Sequence, residues 1–337
     1  MKNPRAKHNY VGRSCSITGV GSYVPERVLT NADLEKMVDT SDEWITTRTG
    51  IKERRLAAPN EFTSDLASKA ALRAMEMAGV TAEQIDLIVV ASITPDMPFP
   101  NTACLVQQKI GARRIPAFDI EAACSGFLYA LEVGQSFVNA RTFETVLVIG
   151  AEKLSAITNW TDRNTCVLFG DGAGAAILQN RPLSHGLLTT ALGADGAKGH
   201  LLSMPGGGSR NPATLKSVQD GLHFLRMDGK ETFKNAVQAM CSAANEVLAR
   251  CEIDITKIKC VIPHQANRRI VDAVGTRLGA TPEQIFINLH KYGNTSAASV
   301  AIALDEAVRS GRVSRGDLIL IVAFGAGLTW GAAIIEW

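Results

Sequence analysis

Apolar positions along this chain change period from one stretch to the next, and the changes alternate. From 64 to 78 (S-D-L-A-S-K-A-A-L-R-A-M-E-M-A) they recur every three or four residues, which predicts an amphipathic helix. After a short turn, Ile85 to Ser92 carries an apolar run from Leu87 to Ala91, which predicts a strand covered on both faces. The same reading places a helix over Thr102 to Ile110, a strand over 117 to 120, a helix over Phe127 to Ala140, and strands over Thr145 to Gly150 and 174 to 178. The second half repeats the order. A helix over 231 to 250 leads to a strand over Cys260 to Pro263 and a helix over 266 to 278. A short strand over 285 to 289, a helix opened by Asn294 to Ser296, and strands over 318 to 323 and 331 to 335 complete it.

The repetition extends to detail. Ala-Gly-Val-Thr-Ala-Glu-Gln-Ile-Asp before the strand at 85 is answered by Cys-Glu-Ile-Asp-Ile-Thr-Lys-Ile-Lys before the strand at 260. The helix after Cys124, with its strand ending at Gly150, is answered by the Asn294 helix and its strand ending at Phe324-Gly325. Alternating strands and helices argue for an α/β chain with parallel sheets covered on both faces, and a duplicated unit argues for two sheets sharing a central layer. A length of 337 residues suits two core-forming halves, drawn here at 14–184 and 185–337. A site where they meet would gather Cys124 from the first with His264 and Asn294 from the second.

Cys124 stands in A-A-C-S-G-F, between an extended apolar run and a helical pattern. On such a strand-to-helix turn the first helical N–H groups and the positive dipole end lie beside the sulfur, which favours thiolate. His264 follows a strand in V-I-P-H-Q-A-N, and Asn294 opens a small-residue helix in Y-G-N-T-S-A-A-S. Singly, each has a plainer reading: a small buried hydrophobe, a hydrogen-bonded structural histidine, a turn with a helix cap. Their corresponding places in the repeat favour a joint role. Phe169-Gly-Asp-Gly-Ala-Gly-Ala-Ala-Ile lacks the Lys-Ser/Thr of a phosphate loop and precedes a strand, so nucleotide binding is not expected there.

Composition excludes several classes. No run of about 18 apolar residues is present, so no membrane insertion is expected. Met1 to Arg13 is polar and basic, reads as a frayed tail and not as a secretory signal, and points to a cytoplasmic protein. A net charge of +2, with no basic run interleaved with aromatics, argues against nucleic acid and leaves any acidic partner to a local patch. The seven cysteines are scattered, with no Cys-x-x-Cys and no histidine at ligand spacing, so neither a disulfide scaffold nor structural zinc is expected.

Seven ordered motifs carry a resemblance. Gly-Val-Gly-Ser-Tyr-Val-Pro, Thr-Ser-Asp-Glu-Trp-Ile-Thr-Thr-Arg-Thr-Gly-Ile, A-A-C-S-G-F, F-G-D-G-A-G-A-A, V-I-P-H-Q-A-N, H-K-Y-G-N-T-S-A-A-S and F-G-A-G-L-T-W-G span about Cys15 to Trp337. Together they resemble the β-ketoacyl-[acyl-carrier-protein] synthase III family, which initiates bacterial type II fatty acid synthesis. The resemblance implies a thiolase-like fold, the duplicated αβαβα five-layer α/β arrangement, and a homodimer. It also selects among relatives: thiolases use Cys, His and a second Cys, and elongating synthases use Cys with two His. Here the third member is Asn294.

The implied reaction is decarboxylative Claisen condensation of an acyl-CoA primer, by preference acetyl-CoA, with malonyl-[acyl-carrier-protein]. Such chemistry needs a nucleophile to hold one acyl group, and sulfur both attacks and leaves well, which suits Cys124. Decarboxylating a malonyl thioester generates the carbanion equivalent, and neutral donors from His264 and Asn294 suffice for its enolate, so no metal and no cofactor is required. The coenzyme A thioester and the phosphopantetheine-bearing acyl carrier protein are substrates. By resemblance, the backbone N–H groups of Cys124 and Ala326 form a second oxyanion hole, with Ala326 standing where some relatives have Gly. Trp44 and Arg163 match positions that sandwich the adenine of coenzyme A, and Arg48 one near its phosphates. Phe99 matches a residue that reaches the partner subunit's acyl pocket, and Phe324 one that lines the site. Gln265, Ala266, Asn267, Arg268 and Arg269 match a carrier-docking segment, and Arg268, Arg269, Arg277 and Lys234 compose a basic patch for an acidic carrier helix. Two readings stand beside this one: a specialised condensing or acyl-loading relative, and a papain-like hydrolase in which Asn orients His.

Overall fold

The computed structural model describes residues 15–181 and 186–337; the N-terminal tail and the junction drawn at 184 and 185 lie outside the described residues. Five strands form the first sheet in the order Cys15–Tyr23, Gly172–Asn180, Thr145–Glu152, Leu87–Ala91, Ala117–Ile120. Four form the second, in the order Cys260–Pro263, Leu318–Gly325, Thr329–Glu336, Gly186–Ala194.

Strand alternation shows how the layers stack. In Thr145–Glu152 every residue is buried, yet Val146 and Val148 enter one core while Leu147, Ile149 and Ala151 enter another. In Leu318–Gly325, Ile319, Ile321 and Ala323 share that first core, and Leu320, Val322 and Phe324 turn to a third. The shared core is the middle layer, filled by helices Gly126–Asn139 and Ala298–Arg309. Helices Thr63–Ala78 and Thr102–Lys109 cover the outer face of the first sheet, and Gly229–Cys251 and Arg268–Leu278 that of the second. Helix, sheet, helix, sheet, helix is the five-layer arrangement the repeat predicts.

The middle layer is thin because glycine admits it. A Cβ on Gly174 would lie 2.4 Å from the Ala301 Cβ, and one on Gly150 would lie 2.4 Å from the Ala297 carbonyl. The helix that follows Asn294 thus rests directly on the first sheet.

Three expectations need correction. The sheets are mixed, not parallel: Thr145–Glu152 pairs parallel with Leu87–Ala91 but antiparallel with Gly172–Asn180. Residues 153–171 hold no crossover helix, and only three residues join Leu318–Gly325 to Thr329–Glu336, so the chain turns straight back in both halves. The strand expected over 285–289 is a single parallel bridge from Ile285 to Val261, and Leu289–Tyr292 is a helical turn. The ladder stops because the Gln265 side-chain oxygen takes the N–H groups of Asn288 and Leu289. Finally, strands Cys15–Tyr23 and Gly186–Ala194, helix Asp42–Thr49 and the antiparallel pair Arg27–Thr30 with Glu53–Leu56 were not anticipated.

Candidate active site

Cys124 lies in one 3-10 turn, Ala123–Ser125, between the strand Ala117–Ile120 and the helix Gly126–Asn139. The turn is strained: Ala123 has φ +45°, a left-handed conformation that costs a β-carbon residue energy and persists only where surroundings enforce it. Its restraints come from the second sheet. Thr329 Oγ1 lies 2.7 Å from Ser125 Oγ, 2.8 Å from the Ala122 carbonyl and 2.9 Å from the Ala326 carbonyl. Gly325 ends its strand so close that a Cβ there would sit 2.6 Å from the Cys124 nitrogen. Burial reverses the thiolate expectation: it pushes the thiol up to about 12, against the pull of the Ser296 hydroxyl and a backbone N–H. Glu152 adds to the rise by its charge. Cys124 rests as a thiol, because a helix start cannot offset removal of sulfur from water.

His264 directly follows Cys260–Pro263, and its N–H bonds to Val322 O at 2.8 Å. Its Nδ1 lies 3.0 Å from Ser299 Oγ, which accepts the Gln265 N–H at 2.9 Å. A hydroxyl that accepts the Gln265 N–H keeps its own proton to give to Nδ1, and in that tautomer the ring proton sits on Nε2. Burial holds the imidazole down at about 4, so it is neutral at pH 7. Asn294 is tied in by its N–H to Leu168 O at 2.8 Å and by Gly170 N–H to its own carbonyl at 3.0 Å. That is the contribution of the F-G-D-G motif: a brace for Asn294. The Asn294 Oδ1 accepts the Ser296 N–H at 2.9 Å, which turns the amide NH2 toward the cavity.

Cys124, His264, Asn294, Phe324 and Ala326 line one cavity of about 1060 Å³, whose walls extend outward to Trp44, Arg48, Ala266, Asn267 and Arg269. Helix Asp42–Thr49, capped by Ser41, presents Trp44. The Arg48 guanidinium lies 4.7 Å and that of Arg163 lies 5.1 Å from its ring centroid. Arg163 is held there by the Asp39 carbonyl at 2.8 Å. A planar base between Trp44 and Arg163 needs about 7 Å, two van der Waals contacts, so a sandwich requires Arg163 to swing outward.

The expected docking segment divides. Gln265 is 1% exposed and bonds internally to Pro263, Phe286, Asn288 and Leu289, which removes it from any surface contact. Asn267 caps helix Arg268–Leu278 through the Arg269 N–H. Arg268 is paired with Asp272 at 2.7 Å, whereas Arg269, Arg277 and Lys234 are exposed. Phe99 stands 85% exposed and outside this cavity. Sequence reasoning passed over Glu152, Ser296, Ser299 and Thr329; only Glu152 left a signal, a carboxylate ending an otherwise apolar strand.

Residues 118–196 match the family of 3-oxoacyl-[acyl-carrier-protein] synthase III, and residues 248–337 match its C-terminal family. A β-ketoacyl-[acyl-carrier-protein] synthase III from Caldanaerobacter subterraneus subsp. tengcongensis is 58% identical over 96% of this chain and 98% of its own length. The crystal structure of the 3-oxoacyl-[acyl-carrier-protein] synthase III from Aquifex aeolicus VF5 superposes with a TM-score of 0.90 at 48% identity, covering 96% of this chain and 100% of that one. The Thermus thermophilus enzyme of the same name does so at 46% identity with a TM-score of 0.90, over 96% and 99%. With the five layers in place and near-complete coverage at such identity, the chain belongs to the β-ketoacyl-[acyl-carrier-protein] synthase III family, condensing acyltransferases that initiate fatty acid synthesis.

Proposed function

We propose that the cavity condenses an acyl-CoA primer with malonyl-[acyl-carrier-protein], Cys124 carrying the acyl group and His264 and Asn294 the enolate. The observation that carries this reading is the hydrogen bonding of the two donors: His264 Nδ1 is taken by Ser299 and Asn294 Oδ1 by the Ser296 N–H, so both N–H ends serve the cavity. A papain-like site needs its Asn bonded to the imidazole, and that bond is replaced here.

Cys124 attacks the primer thioester and coenzyme A leaves. The malonyl group then loses carbon dioxide, and its thioester oxygen gathers charge against His264 Nε2–H and the Asn294 NH2, each aimed donor contributing about 3 kcal/mol. The enolate attacks the acyl-sulfur carbonyl, whose oxyanion meets the N–H groups of Cys124 and Ala326. Trp44 and Arg163 receive the adenine, Arg48 the phosphates, and Arg269, Arg277 and Lys234 the acidic carrier. Dimerisation brings Phe99 to the partner's acyl pocket. Mass measurement of the Cys124 peptide after incubation with a panel of acyl-CoAs tests the reading. Acyl adducts are expected on the parent, on His264→Ala and on Asn294→Ala, with loss of malonyl decarboxylation in both variants. An adduct on Cys124→Ser protein would overturn it.

A further inference from the structure

Glu152 ends the buried strand Thr145–Glu152 and takes no part in the steps above. It is 0% exposed, and its partners among the described residues are hydroxyls and one backbone amide, without a cation. Oε2 accepts from Thr94 Oγ1 at 2.5 Å, Ser92 Oγ at 3.2 Å and Ile93 N–H at 3.1 Å; Oε1 accepts from Ser296 Oγ at 3.0 Å. The neighbouring Lys153 sends its Nζ to the Ala58 and Glu61 carbonyls, and Asp171 is taken by Ser155 and the Ala57 N–H. Ser296 faces the other way as well: it lines the same cavity as Cys124, its hydroxyl draws the thiol down against burial, and its N–H fixes Asn294. Ser296 holds this double contact at φ +48°, a left-handed conformation rare for a residue with a Cβ. One hydroxyl, bonded to a buried carboxylate, thus shares the cavity wall with Cys124.

We propose that Glu152, acting through Ser296, takes the thiol proton of Cys124 during acyl transfer and returns it when product forms. The inference rests on the condensation proposed above. As sulfur attacks, the S–H bond breaks, its electron pair forms the S–C bond, and its proton passes to Ser296 Oγ. The Ser296 proton moves to Glu152 Oε1. Coenzyme A leaves with the C–S electron pair and takes a proton from solvent. In the second half, the enolate carbon bonds to the acyl carbon, and the expelled Cys124 sulfur recovers its proton from Ser296 as Glu152 restores that of Ser296. The cycle consumes the one proton that appears on coenzyme A. Proton affinities support the assignment: burial pushes Glu152 up to about 7, Cys124 up to about 12, and His264 down to about 4. The imidazole that shares the cavity with Cys124 is too weak a base, whereas Glu152, behind Ser296, is matched to neutral pH. Glu152 is a positioning residue, since it reaches the reaction only through Ser296.

The test is the rate of Cys124 acetylation by acetyl-CoA between pH 6 and 9, followed by protein mass, with uncoupled malonyl decarboxylation as a second readout. In the parent the rate should rise to a plateau with its midpoint near pH 7. Glu152→Gln should be about 100-fold slower at pH 7 and rise about tenfold per pH unit without a plateau, because hydroxide then removes the proton. Decarboxylation should stay within about threefold, since it needs only the two donors. Glu152→Asp should recover the plateau. Ser296→Ala, which leaves Glu152 its other donors, should repeat the Glu152→Gln profile and stands in for it should that variant not fold. A plateau at the parent midpoint in either variant, or equal loss of acetylation and decarboxylation, would overturn the relay. If no acyl-CoA acylates the parent, the condensation reading fails by itself, and alkylation of Cys124 by iodoacetamide applies the same pH criteria to the relay.

Discussion

Ser299→Ala separates the stability of the site from its chemistry. Ser299 is 2% exposed on helix Ala298–Arg309, and its hydroxyl has two partners, the Gln265 N–H at 2.9 Å and His264 Nδ1 at 3.0 Å. Removing the oxygen strands a buried amide and a buried ring nitrogen. Each stranded group costs about 1–3 kcal/mol, so the free energy of urea unfolding should fall by about 3 kcal/mol. The chemical effect is distinct. With Nδ1 unpaired, the ring proton is no longer assigned to Nε2, and the enolate loses an aimed donor for part of the population. Malonyl decarboxylation should fall about tenfold, close to 1.4 kcal/mol, while acetylation of Cys124 stays within about twofold. Carbon dioxide release and the mass of the Cys124 peptide measure the two steps separately. Ser299→Thr, which keeps the hydroxyl, should recover decarboxylation. If Ser299→Ala protein were destabilised yet decarboxylated at the parent rate, the tautomer would not depend on Ser299 and the argument would fail.

Three further outcomes follow from the same geometry. Gly325→Ala sets a Cβ 2.6 Å from the Cys124 nitrogen and 3.2 Å from the Ala123 Cβ, so the nucleophile turn must shift and acetylation should slow about 100-fold; an unchanged rate would mean the turn tolerates displacement. His264, held down at about 4, makes stability fall by about 3 kcal/mol as pH drops from 6.5 to 4, because only the unfolded chain takes the proton. Glu152, raised to about 7, works in the opposite sense: from pH 4.5 to 7 the folded chain keeps a proton the unfolded chain has lost, so stability falls as pH rises. His264→Ala should therefore lose stability more steeply than the parent as pH rises from 4.5 to 6.5, and parallel urea-midpoint curves would contradict it. Arg269, exposed at the cavity rim, should act through charge: Arg269→Glu should weaken use of malonyl carrier protein about tenfold and spare acetyl-CoA, with added salt weakening the parent similarly. Equal losses for both substrates would point instead to a damaged fold.

The strands that could be read from sequence are those buried on both faces, such as Leu87–Ala91 and Thr145–Glu152, where a continuous apolar run needs no partner to explain it. Cys15–Tyr23 escaped because its glycines, packed close against helix Thr63–Ala78, and its serines dilute the apolar pattern. Strand direction escaped too, since periodicity carries no sign; the lack of a helical pattern between 153 and 171 was the available clue. The misread strand at 285 failed for a reason no window could contain, a glutamine side chain twenty residues upstream taking the amides that a ladder would use. The proposed triad stood out in the sequence because duplication gave Cys124 and Asn294 equivalent places, each before a helix of the middle layer.

Protonation states were not readable, and the error over Cys124 shows why. Its helix start is local, written in adjacent residues, and it does favour an anion. Its burial is not local: Ser296, Gly325 and Thr329 close over the turn from segments more than 170 residues away. His264 and Glu152 are desolvated by the same closure of the two sheets on the middle layer. Burial lowers the basicity of the imidazole and raises that of the carboxylate, so one packing event selects a neutral donor for the enolate and an acceptor suited to the thiol proton. The assembled layers, and no single motif, decide which group in this site moves a proton and which only lends one.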